Sequence, residues 1–269
     1  VMKKLLIILA LILAITILSS CKRNSNVLRV GMDLQYPPFE TINNGKPEGI
    51  SVDIAYALGE YLNVEVEIVN TSFQALIPSL ESGEVDLIIS SMSITEERSR
   101  VVSFSKPYMY FQIISLVNKT FAEKNNITED STVEELLSIE NIKFVGLASQ
   151  VSSTIPASYN KEVKQATSMS TAIEDVSQGV SDILLMSGNP VADARNKNPE
   201  TTMIVWDSFI ASPIGVAVKK GNTELVDKIN EFIDTLRDEG GLYDILTAKY
   251  DAEIRAILGG KGFEFYIQE

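Results

Sequence analysis

Apolar and polar positions change rhythm at short intervals along this chain, and each change marks an element. Residues 28–32 read as a first strand. Residues 33–40 follow as an irregular loop, because Pro37 and Pro38 sustain neither a ladder nor a helix. Asn43-Asn44-Gly45-Lys46 is a turn, and a helix over 53–61 puts Ile54, Leu58, Tyr61 and Leu62 on its apolar side. Alternation returns over 64–69. After Asn70-Thr71-Ser72 a helix carries Leu76, Ile77 and Leu80, with Phe73 in its first turn, tolerates an early Pro78 and closes at Gly83. Residues 87–89 are a short buried strand, and Thr95 before Glu96 and Glu97 is a helix N-terminus. Strands separated by helices predict a parallel sheet covered on both faces.

Apolar segments at 101–104 and 113–117 flank Tyr108-Met109-Tyr110-Phe111, aromatics that either pack a core or line a cleft. The polar run 119–130 has the composition of a boundary, and beyond it the rhythm restarts. Helices are expected at 133–137, 153–159 (weakened by Pro156), 168–176 and 191–195, and strands at 143–147, 163–165, 182–186 and 203–206. This is enough chain for a second small domain. A strand at 214–218, a turn at 219–221, helices at 223–236 and 242–258 and an edge strand at 263–267 complete the reading. The helix at 223–236 carries Leu225, Ile229, Phe232 and Ile233 on one face, the mark of a docked helix rather than one lying on a membrane.

The N-terminus has a different character. Lys3 and Lys4 precede an apolar run to Leu18, then Ser19, Ser20 and Cys21, which is the layout of a secretory signal rather than a spanning helix. Leu18-Ser19-Ser20-Cys21 also resembles the bacterial lipoprotein processing box, in which signal removal leaves an acylated cysteine at the N-terminus. That resemblance implies a signal peptide at 1–20, a lipid (palmitate-type) anchor on Cys21 and a polar tether at 21–26; the alternative is an ordinary signal peptide with an unpaired exported cysteine.

Composition then narrows the chemistry. A single cysteine excludes an intrachain disulfide framework. The formal charge of -13 argues against nucleic acid or an anionic membrane surface as the main partner. With no histidine, the usual general base and the commonest nitrogen metal ligand are missing, and no metal site or cofactor is expected.

The densest polar chemistry is Ser90-Ser91-Met92-Ser93-Ile94-Thr95-Glu96-Glu97-Arg98, where a strand end turns into a helix. A cation in a first helical turn is disfavoured by the exposed N–H groups. Arg98 therefore either reaches water past the two glutamates or faces an anion, and its fork suits a carboxylate. Asp33 and Tyr36 also fall at a strand end, where they either cap and pack or contact a ligand. Phe39 is expected in the core, and Asp182 as a structural residue at a strand end.

Taken together, Gly31-x-Asp33-x-x-Tyr36-Pro37-Pro38-Phe39, Gly49-Ile50-Ser51-Val52-Asp53, the block from Phe73 to Asp86, Ser93-Ile94-Thr95-x-x-Arg98 and Phe104-Ser105-x-Pro107-Tyr108 resemble bacterial extracellular solute-binding proteins of the polar amino-acid uptake class, family 3. The resemblance spans nearly all of 28–250. It implies an α/β, two-lobed periplasmic-binding-protein-like fold (type II) with two crossovers, lobe one at 27–110 plus 214–269 and lobe two at 111–213. It also implies an extracytoplasmic, monomeric, non-catalytic receptor that delivers a small polar amino acid to the membrane subunits of an ABC permease. Arg98 is then similar to the clamp for the ligand's α-carboxylate, assisted by Ser93, and Ser91 to the carbonyl that takes the α-ammonium. Tyr36 and Phe73 resemble the aromatic pair around the ligand side chain, with Asp33 and Ser90 at its far end. This set favours arginine, lysine or ornithine slightly over glutamine.

Lobe two departs from the family pattern. Gln150-Val151 stand where a glycine-threonine pair is usual, leaving Ser152 as a backbone N–H donor. Ser187-Gly188-Asn189-Pro190 lacks the usual aspartate that holds the α-ammonium. Ser187 or Asn189 substitutes neutrally, or the ligand lacks an α-amino group, or the protein serves another role such as a sensing or adhesive lipoprotein. The enzyme alternative is a dehydratase-like activity using Glu40, Asp33 or Ser93, since the chain has no histidine for an assisted triad.

Overall fold

The computed structural model describes residues 26–148 and 150–268. The signal peptide, Cys21 and most of the tether expected from the sequence lie outside the described residues. The first run of elements is β1 (Val27–Met32), β2 (Gln35–Tyr36), β3 (Glu40–Asn43), β4 (Lys46–Glu48), α1 (Ile50–Leu62), β5 (Glu65–Asn70), α2 (Phe73–Ser82), β6 (Leu87–Ile88) and the single turn α3 (Glu96–Ser99). The long β7 (Val102–Asn118) leads to the second run: α4 (Lys119–Asn125), α5 (Val133–Ser138), β8 (Phe144–Gly146), α6 (Val151–Ser158), β9 (Val163–Gln165), α7 (Met169–Ser177), β10 (Ile183–Ser187) and α8 (Gly188–Lys197). The equally long β11 (Thr202–Lys219) returns to α9 (Thr223–Asp234), α10 (Leu242–Leu258) and a 3-10 turn, Phe263–Tyr266.

The main sheet has the order β5-β1-β6-β11-β7-β10-β8-β9. Its two ends are parallel triplets, one per lobe, and the antiparallel pair β7 and β11 runs through both. The fold is thus a two-lobed α/β architecture with two crossovers, and its sheet is mixed where strand–helix alternation alone predicts a parallel one. The last eight residues of β7 are all buried, as a strand covered on both faces requires. β11 shifts register against β7 between Val205 and Ile210 and again around Gly215, so the crossing pair bends where it passes between lobes.

Several boundaries differ from the sequence expectations. The segments at 101–104 and 113–117 join into β7, and those at 203–206 and 214–218 into β11, because the polar residues between them pair in the ladder. The polar run at 119–130 contains a helix: Asn118 accepts a hydrogen bond from Phe121 N and starts α4 there. The loop at 33–40 contains β2 and feeds a small antiparallel sheet with β3 and β4. α1 starts three residues early, at Ile50, directly after Gly49, where φ is +129° and a side chain would collide with the Phe39 carbonyl at 2.3 Å. Tyr61, assigned to the buried side of α1, is 46% exposed, with its ring 5.6 Å from that of Phe232.

The expected edge strand at 263–267 is the 3-10 turn instead. Phe263, Phe265 and Tyr266 are buried aromatics that fill the junction of the lobes, and i→i+3 bonds Phe265 N to Gly262 O and Ile267 N to Glu264 O replace a ladder. Phe39 is in the core as expected, packed edge-on against Tyr266. Asp182 is structural as expected, accepting from Lys143 N at 2.7 Å. Among the described residues, no helix is long and apolar enough to cross a membrane.

Candidate ligand-binding site

Parallel pairing of β1 with β6 brings the ends of both strands out side by side, and Asp33 N donates to Ser90 Oγ at 2.9 Å. β10 ends opposite, in the other lobe, at Ser187. Between these ends lies a cavity of about 380 Å³ lined by Asp33, Gln35, Tyr36, Glu40, Phe73, Ser90, Ser91, Phe111 and Ser187. Six of the residues singled out from the sequence (Asp33, Tyr36, Phe73, Ser90, Ser91 and Ser187) share this wall. Ser93, Arg98 and Ser152 do not line it.

Asp33 both caps and faces the cavity. Its Oδ2 accepts from Phe73 N at 2.9 Å, serving the N-terminus of α2, where the Ser72 side chain makes no capping bond. Its Oδ1 accepts from Gln35 Nε2 at 3.0 Å. Tyr36 stacks on Phe39 at 5.4 Å and lies 6.0 Å from Phe111, forming one aromatic flank. Phe73 forms another, with no ring contact to Tyr36 among the described residues. The Tyr36 hydroxyl meets Ser187 Oγ at 3.1 Å, a hydrogen bond between the two lobes. Burial pushes the Tyr36 phenol up to about 12, against the pull of the Ser187 bond.

Arg98 lies behind Phe73, with its guanidinium 5.3 Å from the ring centroid. Nη1 donates to Ser93 O at 2.8 Å, and the remaining guanidinium N–H groups have no partner among the described residues. Burial lowers its pKa, while Glu97 acts in the opposite direction. Thr95 caps the short helix by accepting from Arg98 N. The Ser93 hydroxyl is engaged by Ser212 of β11 at 3.0 Å. Ser91 adopts a left-handed backbone at φ +49°, a conformation that non-glycine residues hold at some cost and that turns the chain at the strand end.

In lobe two Ser187 lines the cavity, whereas Asn189 is buried and its Oδ1 accepts a hydrogen bond from the Tyr266 hydroxyl. Ser152 is fully buried, and its Oγ accepts from Leu147 N at 3.0 Å. The Ser152 backbone presses so close on Gly146 that a Cβ there would sit 2.4 Å from the Ser152 carbonyl oxygen.

Sequence reasoning assigned no ligand contact to three lining residues. Gln35 gave no signal, and Phe111 belonged to an aromatic run left open between core and cleft. Glu40 was read only as an acid-base candidate, although its place after Pro37-Pro38-Phe39 was the clue. It is 1% exposed and accepts from Ser91 Oγ at 2.9 Å, with Ser90 Oγ at 3.5 Å. Burial pushes its carboxyl up to about 8; the serine hydroxyls oppose that rise and the charge of Asp33 adds to it.

Comparison with known proteins agrees with this geometry. The chain is 30% identical over 260 residues to the L-arginine-binding protein of Pseudomonas aeruginosa, covering 93% of this chain and 96% of that protein. It is 26% identical over 235 residues to the probable histidine-binding protein of Neisseria gonorrhoeae, covering 84% of each. Among solved structures it is similar to an ancestral arginine-binding protein bound to glutamine, with a TM-score of 0.60 and 30% identity, covering 85% of this chain and 99% of that one. The model of the bacterial extracellular solute-binding proteins, family 3, matches residues 28–251, and the chain belongs to that family of extracellular solute-binding proteins.

Proposed function

We propose that the chain captures a basic amino acid (arginine, lysine or ornithine) between its lobes and delivers it to an ABC permease. The observation that carries this reading is the presence of an uncompensated cation close to an acidic cavity wall. Arg98, behind Phe73 and outside the cavity lining, keeps unspent guanidinium donors and has no carboxylate partner among the described residues, while Asp33 and Glu40 line the cavity. A zwitterion with a cationic side chain matches both ends. Ser93 and Ser152 position the carboxylate through backbone groups, Ser91 and Ser187 take the α-ammonium, and Tyr36 and Phe73 flank the aliphatic stem. Ligand contacts to both lobes at once favour closure by their difference in affinity. The lobes we assign are 27–110 plus 214–269 and 111–213, with β7 and β11 as the hinge. The protein acts as a monomer held to a bacterial membrane through Cys21.

Glutamine is the second reading, favoured by the two hydrogen bonds that Asp33 already accepts. Native mass spectrometry of the purified protein against a panel of amino acids, amines and carboxylates, followed by calorimetry, separates the readings. A basic amino acid is expected to bind most tightly. Arg98→Ala is expected to weaken it by about 2–4 kcal/mol, the range for a lost charge-assisted bidentate contact. Unchanged affinity in that variant overturns the carboxylate clamp.

A further inference from the structure

We propose that Glu40 is a second anionic contact for the ligand's cationic end and that it releases a proton to solvent when such a ligand binds. The inference rests on the basic amino-acid reading and adds to it a residue and a proton.

Glu40 sits at the start of β3 and is buried, yet it is part of the cavity wall, with its carboxyl held by Ser90 and Ser91 of the same wall. Ser90 Oγ stands between the two acids, taking the N–H of Asp33 and reaching Glu40 Oε1 at 3.5 Å. The groups that face Glu40 are Asp33 from the loop after β1, Tyr36 from β2, Ser51 from α1, Ser90 and Ser91 beyond β6, and Tyr108 from β7. None is a cation. The buried hydroxyls of Ser51 and Tyr108 approach without a hydrogen bond of good geometry. This wall is therefore two carboxylates supported by hydroxyls, with no counter-charge.

Asp33 accepts hydrogen bonds from the N-terminus of α2 and from Gln35 Nε2. Glu40 has only serine hydroxyls, and burial, with the charge of Asp33 adding to it, pushes its carboxyl up to about 8. A guanidinium or ammonium entering between them supplies the missing charge. The Glu40 O–H bond then breaks, its proton passes to bulk buffer, and the carboxylate left behind accepts a ligand N–H. A neutral carboxamide supplies no charge, so Glu40 keeps its proton and donates it as a hydrogen bond.

The test is calorimetry of arginine, lysine and glutamine at about pH 7 in buffers of different ionisation enthalpy. By linkage, arginine and lysine are expected to release between about half a proton and one proton per site, and glutamine close to none. Affinity for the cationic ligands is expected to rise by up to about tenfold per pH unit between about pH 6 and 8, then level off. Glu40→Gln is expected to abolish both the release and the pH dependence. Cationic binding without buffer dependence, or release that persists in E40Q, overturns the role of Glu40 and leaves the basic amino-acid reading standing. No binding by any cationic amino acid overturns both. If E40Q does not fold, carboxyl carbon NMR of the wild-type protein reads the same event. A glutamate titrating near pH 8 is expected without arginine and absent from that range with it, whereas the same titration in both states overturns the proposal.

Discussion

The two jaws of the cleft are built on the same plan, parallel strands ending at helix N-termini, yet they offer a ligand very different chemistry. Lobe one brings Asp33, Gln35, Tyr36, Glu40, Phe73, Ser90 and Ser91 to the cavity, with Arg98 behind them, whereas the segment assigned to lobe two brings only the Phe111 ring and Ser187 at the end of β10. The difference follows from what each strand end has to satisfy. At β1 and β6 the loops leave acids and hydroxyls facing one another. At β10 the neighbouring Asn189 is spent on Tyr266, and at β8 the Ser152 hydroxyl is spent on Leu147 N. On the proposed reading, recognition is concentrated in one lobe, and the other chiefly closes over it.

The sharpest way to break that contrast is to remove one residue from each jaw. Arg98→Ala is expected to cost about 2–4 kcal/mol of binding. Ser187→Ala is expected to cost about 1 kcal/mol or less, the worth of one neutral hydrogen bond. Equal losses by calorimetry would show that lobe two carries as much recognition as lobe one.

The same contrast governs what the sequence revealed. Lobe one was legible because its contacts lie close in sequence to signals with a local cause: Asp33 at a strand end, Phe73 in a first helical turn, Thr95 as a cap and Arg98 three residues on. Glu40 was underread because only the tertiary approach of the loop at 33–40 to Ser90 and Ser91, some 50 residues away, makes it part of the cavity. In lobe two the choice between Ser187 and Asn189 was invisible, since it is decided by Tyr266, far along the chain. The crossing strands were broken in the reading because Ser105, Lys106 and Gln112 interrupt the apolar pattern of β7, although each lies within the strand. The 3-10 turn at the junction was misread because Phe263-Glu264-Phe265 alternates like a strand, and three-dimensional crowding of aromatics decides its form.

A stability measurement sharpens the electrostatic side of lobe one. Glu40 is pushed up to about 8 by burial, well above its ordinary value of 4.5. Between those values the folded state holds a proton that the unfolded state has lost. Without ligand, stability should therefore fall as pH rises from about 4.5 to 8 and level off above, by on the order of 1–3 kcal/mol from this group. Denaturant melts of the wild type and E40Q check this: the variant should lose that part of the slope. A wild-type slope of the opposite sign that vanishes in E40Q would mean that Glu40 is ionised in the fold.

A smaller effect is expected at the junction. Tyr266→Phe removes the hydroxyl that Asn189 accepts from while leaving the ring against Phe39 and Phe111. Asn189 Nδ2 already lacks a partner, so the variant leaves this amide wholly unsatisfied. A loss of about 1–2 kcal/mol in the denaturant midpoint is expected, with ligand affinity changed much less than in Arg98→Ala. An affinity loss as large as that of Arg98→Ala would place Asn189 among the recognition groups and make lobe two an equal partner.

The least costly change addresses closure itself. Tyr36→Phe keeps the aromatic flank and deletes only the hydroxyl that meets Ser187. Since that bond joins the lobes directly, its loss should shift the ligand-free population toward the open form by about 0.5–1 kcal/mol, a factor of roughly two to five. Trp206, the chain's only tryptophan, sits edge-on to Phe265 under Lys261 at the junction and offers a fluorescence readout. Small-angle scattering of the ligand-free variant should show a larger mean dimension than the wild type, and saturating ligand should erase the difference. If the two proteins scatter alike without ligand, the Tyr36–Ser187 bond contributes nothing to closure, and lobe two closes only on what the ligand itself provides.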